Sequence, residues 1–322
     1  MCESTQHETE GTTEGKQSAS MARLRSAEQA PAQAAAHWSR RELLRKAASL
    51  TMVASVVGVA AAEYAFDVEP SWVEVVPVQV RMPRLAPAFS GYRIAQISDL
   101  HLGDWLTRDQ LAAVVQLVNQ QQADLIAVTG DFITRRAPLF AHDLITTLRG
   151  LDARDGVVAV LGNHDHWSSA ATIRAVIAES GMRDLDNAVH TLERSGALLH
   201  IAGVDDMWEQ QARLDDVLAT LPRAGAAVLL AHEPDFADVS AACGRFDLQL
   251  SGHSHGGQVV VPFYGPLRLP PYAHHYPLGR YQVGQMVQYT NRGIGMLAPH
   301  LRFNCRPELT VFTLEAPHED AS

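Results

Sequence analysis

Cysteine is scarce in this chain of 322 residues: Cys2, Cys243 and Cys305 are the whole set, and none stands in CxxC spacing. That excludes a zinc ribbon and a thioredoxin-like redox motif. Cys2 lies in a leader that cleavage would remove. Cys243 and Cys305 are then expected as two buried thiols, with a disulfide in an oxidising compartment as the alternative. Basic residues are also short: the formal charge is −10 with His neutral. No global basic field and no basic aromatic platform advertises a nucleic-acid partner, and the acidity serves solubility. There is no internal repeat and no linker after residue 70. With 47% hydrophobic residues the chain can bury a sizeable core, and one large domain beyond the leader is the economical reading.

Charge and hydropathy set the leader apart. Residues 1–38 are rich in Ser, Thr, Gln, Glu and Ala without apolar periodicity, which predicts a disordered extension. Ser39-Arg40-Arg41-Glu42-Leu43-Leu44-Arg45-Lys46 follows, then an uncharged stretch over residues 47–62. As a helix rising about 1.5 Å per residue, that stretch spans roughly 24 Å, short of a hydrocarbon core of about 30 Å. Basic flank, short apolar core and Ala60-Ala61-Ala62 describe an export signal. The paired arginines resemble a twin-arginine signal, whose machinery exports folded proteins. Residues 39–66 are therefore expected to be a signal or a retained anchor, with residues 67–322 one domain beyond the cytoplasmic membrane. Met21 is a second plausible start.

Apolar runs then alternate with polar motifs. Residues 68–80 are rich in β-branched residues and predict an edge strand, because Pro77 cannot donate to a central ladder. Thr107 opens a helix, with Gln110 completing a capping box and Leu111, Val114, Val115 and Val118 on one face. Residues 92–98, 124–129, 156–161, 226–231 and 246–251 predict buried strands, with helices over 140–148, 169–180 and around 208–221. Two short strands are expected beyond His190, and strands and turns over 281–314. The rhythm predicts an α/β layered fold with binding residues at the carboxyl ends of strands.

Five motifs stand at those ends: Asp99-Leu100-His101, Gly130-Asp131, Gly162-Asn163-His164-Asp165, His232-Glu233-Pro234 and Gly252-His253-Ser254-His255. Carboxylate, amide and imidazole are the ligand mixture of hydrolytic two-metal centres. Two-residue spacing on extended chain would aim Asp99 with His101, and His253 with His255, at one site. The ligand types suit Mn, Fe, Zn or Ni, and lack of cysteine ligands disfavours a structural zinc site. His142, His190, His200 and His300 have no matching position, and His166 reads as a solvated loop residue near the site.

Over about residues 90–315 these motifs resemble the calcineurin-like metallophosphoesterase superfamily. The resemblance implies a four-layer α/β/β/α sandwich with two divalent metal ions at strand ends. By motif it places Asp99, His101 and His255 on the first ion, Asn163, His232 and His253 on the second, and Asp131 between them. It implies a metal-activated hydroxide attacking a phosphoester in line, with His164 facing the leaving oxygen and Asp165 orienting that imidazole. The leader, Gly256-Gly257-Gln258 and Asn291-Arg292-Gly293 look like the exported bacterial phosphodiesterases related to UDP-2,3-diacylglucosamine hydrolases. Arg292 is either a phosphate contact or a turn stabiliser. Trp105, Phe132, Trp167, Phe263 and Tyr264 follow the motifs; they either pack the loops or rim the site for an amphiphilic, lipid-linked phosphodiester. A phosphomonoesterase or cell-wall phosphodiesterase is the alternative enzyme, and a catalytically silent envelope binding protein the alternative outside that class.

Overall fold

The computed structural model describes residues 38–317, so the extension and the last five residues lie outside it. Contacts divide the chain into two units, Met1–Ala54 and Ser55–Ser322. The described part of the first opens helix α1 (Arg40–Glu63), where Ser39 and Glu42 cap one another and Lys46 Nζ stacks over Trp38. A π-helical turn, Tyr64–Val68, continues it. The helix outruns the uncharged stretch because Arg, Glu, Leu and Lys propagate it as readily as Ala. At 29 residues, Arg40–Val68 is long and apolar enough to cross a membrane, by length and composition. The flanks on either side lengthen the sixteen uncharged residues to that span, and a signal sequence meets the same measure.

In the second unit the strands and helices run β1 (Glu74–Arg81), β2 (Tyr92–Ile97), α2 (Arg108–Gln120), β3 (Leu125–Thr129), α3 (Ala137–Leu148), β4 (Val157–Val160), α4 (Asn163–Glu179) and β5 (Arg183–Asp184). Then come β6 (Ala188–Arg194), β7 (Ala197–Gly203), α5 (Leu214–Thr220), β8 (Ala226–Leu230), α6 (Ala237–Ala242) and β9 (Leu248–Ser251). The short pair β10 (Val260–Val261) and β11 (Gly265–Pro266) precedes β12 (Gly279–Val283), β13 (Met286–Thr290) and β14 (Glu308–Glu315). Two six-stranded sheets result, ordered β1-β14-β2-β3-β4-β5 and β12-β13-β9-β8-β7-β6. Strand β1 is an edge, as Pro77 requires.

Alternation along the strands builds three cores. In β3, Ile126 and Val128 face α2, α3 and α4, while Leu125 and Ala127 face the second sheet. In β8, Val228 and Leu230 meet them there, and Ala227 and Leu229 turn to α5 and α6. The result is the α/β/β/α sandwich. β2, β3, β4 and β5 run parallel, as do β7, β8, β9 and β13, so the carboxyl ends of the inner strands gather at one edge of both sheets. Just below that edge the buried Gln96 ties the sheets together, donating to Thr129 Oγ1 at 2.9 Å and to the Ser251 carbonyl at 3.0 Å.

Three expectations change here. The fourth helix starts at Asn163, inside the motif, and breaks at Ser169. Only Leu214–Thr220 of the segment around 208–221 is helical, because Trp208 is held in a turn described below. Cys305 is buried and Cys243 exposed, and both are free.

Candidate metal centre

Three of the five motifs leave their strands through left-handed turns. Asp99, His101, Asp131, His253 and His255 all have positive φ, between 48° and 68°. Two-residue alternation therefore does not aim these side chains. Left-handed turns do, folding the chain back on itself past each strand end; such conformations cost of order 1–3 kcal/mol each and persist only where the surroundings enforce them. The enforcement is visible at Gly252. A Cβ there would collide with Ser98 Oγ and with the Asp99 carboxylate, which accepts the His253 N–H at 3.0 Å. At Gly130, φ is +90° and a Cβ would stand 2.5 Å from His232 Nδ1.

Two buried groups result, each with donor atoms close enough for one cation: Asp99, His101 and His255, and Asp131, His232 and His253. His101 Nε2 and His255 Nε2 lie 3.1 Å apart, and His255 Nε2 is 3.4 Å from Asp99 Oδ1. His253 Nδ1 lies 3.3 Å from His232 Nε2. Asp131 Oδ2 stands between the groups, 3.2 Å from His232 Nε2 and 3.5 Å from His101 Nε2. The second nitrogens are fixed from behind. His232 Nδ1 lies 2.7 Å from the Thr129 carbonyl, His253 Nε2 2.9 Å from the Pro271 carbonyl, and His101 Nδ1 3.1 Å from Thr134 Oγ1.

The chemistry of these donors fits cations. Burial pushes His101 down to about 3 and lowers His253 and His255, which keeps those imidazoles neutral and able to ligate. Burial likewise pushes Asp99 up to about 7. Burial would also raise Asp131, but the His232 and His164 charges outweigh it and hold its carboxyl well below the usual range. Asn163 Oδ1 is buried without a hydrogen-bond partner and lines the same cavity as Asp131 and His253. A lone-pair donor of this kind, which nothing in the chain satisfies, is what a cation would use. Carboxylates and lone-pair donors gathered without a cation are costly to bury.

His164 also lines this cavity, with its backbone N–H on Asp131 Oδ1 at 2.9 Å and its ring Nδ1 3.3 Å from the Thr134 carbonyl. Asp165 does not orient that ring. Its oxygens accept four backbone N–H groups, from Asp131, Phe132, Ile133 and Gly162 at 2.9–3.3 Å, so it holds the Asp131 loop instead. His166 is helical, and its Nε2 lies 2.7 Å from Asp205 Oδ1. Arg292 pairs with Glu74 and Glu308, which makes it a structural tie and not a phosphate contact.

The cavity holds about 480 Å³. Of the five expected rim rings only Trp167 reaches it: Phe132 is in the core, Trp105 lies elsewhere, and Phe263 and Tyr264 are exposed outside the lining. The second ring is Trp208, hidden in sequence by a polar segment. The backbone N–H groups of Trp208 and Met207 donate to the buried Glu233 carboxylate at 3.3 and 3.2 Å. Burial, with the Glu233 charge beside it, pushes the neighbouring Asp206 up to about 10, so the two carboxyls need not both ionise. His164, Trp167, Trp208 and His253 follow edge to face, with centroids 4.7, 5.2 and 5.7 Å apart. Leu267, Leu269, Pro271 and Pro299 complete an apolar wall, and Arg268 is its cation.

The profile of the calcineurin-like phosphoesterases matches residues 92–257. A metallophosphoesterase of Bacillus subtilis, YkuE, is 37% identical over 79% of this chain and 89% of its own length. The Escherichia coli phosphodiesterase YaeI is 29% identical over 86% and 99%. Among solved structures, TT1561 of Thermus thermophilus aligns over 64% of this chain and 91% of its own, with TM-score 0.44 and 15% identity. Profile and relatives span the strands whose ends carry both groups, and this chain belongs to the calcineurin-like phosphoesterases, hydrolases of phosphoric esters that work with two divalent metal ions.

Proposed function

We propose that the protein is a phosphodiesterase of the cell envelope, acting on a phosphodiester or pyrophosphate bond in a substrate with an apolar, lipid-like arm. The observation that carries this reading is the position of His164, on the cavity wall between the paired donor groups and the Trp167–Trp208 cleft. Asp99, His101 and His255 hold one cation in this reading; Asn163, His232 and His253 hold the other, with Asp131 shared. When bound, two such cations activate water and offset phosphate charge. The chain's own part is to fix that geometry: Thr129, Thr134 and Pro271 set the imidazole orientations, and Asp165 fixes the loop bearing Asp131. His164 donates a proton or hydrogen bond to the leaving oxygen. Trp167, Trp208 and Pro271 shelter the bond from water and take up the apolar arm.

A relative named as a phosphodiesterase supports the bond class. The apolar helix with its Arg40-Arg41 flank supports twin-arginine export and retention at the membrane. The test compares bis-p-nitrophenyl phosphate with p-nitrophenyl phosphate on manganese-, iron- or zinc-loaded protein. Diester turnover is expected to exceed monoester turnover. His164→Ala is expected to cut it about 10²–10⁴-fold at full metal content, the usual range for a general acid. Faster monoester turnover would reassign the bond class, and unchanged turnover in the variant would remove His164 from the reaction.

A further inference from the structure

His164 has a second neighbour that this reading leaves unused. A cavity of about 500 Å³ lies beside the first, and the two share His164, Leu297 and Ala298 as a common wall. Its floor is apolar (Leu102, Phe140), but its character comes from Arg135 and Arg136. Both arginines are exposed, and neither has an ion-pair partner among the described residues. They stand at the end of the loop that starts at Asp131: Thr134, one residue before Arg135, holds the His101 and His164 rings with its hydroxyl and carbonyl. Arg136 adopts φ +59° directly before α3. The one acidic residue lining the cavity, Asp104, already has His300 Nε2 at 3.1 Å from its Oδ1. Two guanidinium groups without an ion-pair partner among the described residues, in a cavity that shares His164 with the first, suit a phosphate, which arginine binds bidentately.

We infer that the substrate carries a second phosphate, bound by Arg135 and Arg136 on the side of His164 away from the tryptophan cleft. The scissile ester then lies between an apolar arm and an anionic one, with His164 at the junction. This rests on the phosphodiesterase reading, and sharpens it from an amphiphilic diester to one with a further phosphate dianion.

The probes are two chromogenic diesters that differ only in that group: thymidine 5′-(p-nitrophenyl phosphate), and the same compound bearing a 3′-phosphate. Metal-loaded wild-type protein is expected to favour the 3′-phosphorylated diester by at least tenfold in kcat/KM, mostly through KM. In R135A/R136A that preference is expected to collapse to within about twofold of unity, while R135K/R136K keeps part of it. A wild-type preference near unity, or an undiminished preference in the alanine pair, overturns the inference and leaves the phosphodiesterase reading standing. A lysine pair that loses the preference as fully as the alanine pair also overturns it, because loop shape and not charge would then be responsible. Wild-type protein that hydrolyses neither diester overturns the phosphodiesterase reading and this inference together.

Discussion

Asp165 Oδ2 accepts the backbone N–H of Asp131 at 2.9 Å, and this bond joins the first turn of α4 to the loop between the two donor groups. With Phe132, Ile133 and Gly162 also donating, the carboxylate satisfies four amides that have no other acceptor of comparable strength. Asp165→Asn keeps the shape but turns an NH₂ toward some of those donors. Each buried amide left unsatisfied costs about 1–3 kcal/mol. We expect the variant to bind less metal and to melt at least several degrees lower, with turnover falling as metal is lost. Metal analysis and thermal melting read this directly. Full metal content and an unchanged melting point, with turnover alone reduced, would return Asp165 to the role of orienting His164.

Trp208 gives a second prediction. Its ring packs edge to face on Trp167 and His253, and Tyr272 lies 5.8 Å away on its other side. Trp208→Ala opens the apolar wall and removes one ring contact from His253, while every donor side chain stays in the chain. The ratio of KM for a decyl p-nitrophenyl phosphodiester to that for the methyl analogue is expected to rise about tenfold, equivalent to about 1.4 kcal/mol. A ratio equal to that of the wild type would show that the apolar arm lies elsewhere.

Much of this architecture is legible in the sequence, for physical reasons that differ by residue. Leu111, Val114, Val115 and Val118 are buried together because helical period and capping box point to the same helix. The strand ends are legible because all-apolar runs such as Leu125–Thr129 must be buried on both faces and must stop at a polar residue. The site residues are named by type and order, yet their aim is not, since left-handed turns at Asp99 or His253 have no periodic signature. Long-range ties escape for a simpler reason. Nothing local says that Glu233 will hold the Trp208 turn, although Glu233 stands inside a recognised motif. The motif suggests His164, its sequence neighbour, as the partner of Asp165, whereas its partners are backbone amides more than thirty residues away and at the start of its own helix.

Glu69 is a further tie of this kind, and supports a stability prediction. It follows the π-helical turn, is fully buried, and accepts the backbone N–H groups of Asn304 and Cys305. Cys305 Sγ in turn donates to the His255 carbonyl at 3.2 Å, so this contact backs the first donor group. Glu69→Ala strips two amides of their acceptor at about 1–3 kcal/mol each. At roughly 2–4 °C per kcal/mol for a domain of this size, melting is expected to fall by about 4–24 °C. Glu69→Gln, which keeps one acceptor, should fall by less. An alanine variant that melts like the wild type would mean that water replaces the carboxylate.

A pH prediction comes from the cluster of Arg174, Asp186, Asp205 and His166, which lies apart from the donor groups. Arg174 pairs with Asp186 at 2.9 Å and Asp205 at 2.8 Å, and His166 Nε2 sits 2.7 Å from Asp205. Burial pushes Asp186 up to about 7 from an ordinary value of 3.8. Between those values the folded chain keeps a proton that the unfolded chain has released, so stability falls as pH rises. The hydrogen bond that His166 donates to the Asp205 carboxylate raises His166 above 6.5; that stabilisation is complete below 6.5 and is lost as pH rises through the folded value. Both slopes have the same sign: that of Asp186 lies between 3.8 and about 7, and that of His166 above 6.5. With metal chelated, the wild type is expected to lose stability from pH 5 to 8 relative to the Asp186→Asn, His166→Gln double variant. Urea midpoints at half-unit intervals measure the difference, which subtracts the titration of every other group. A wild-type minus variant difference that stays flat from pH 5 to 8 would show that Arg174 keeps Asp186 ionised throughout.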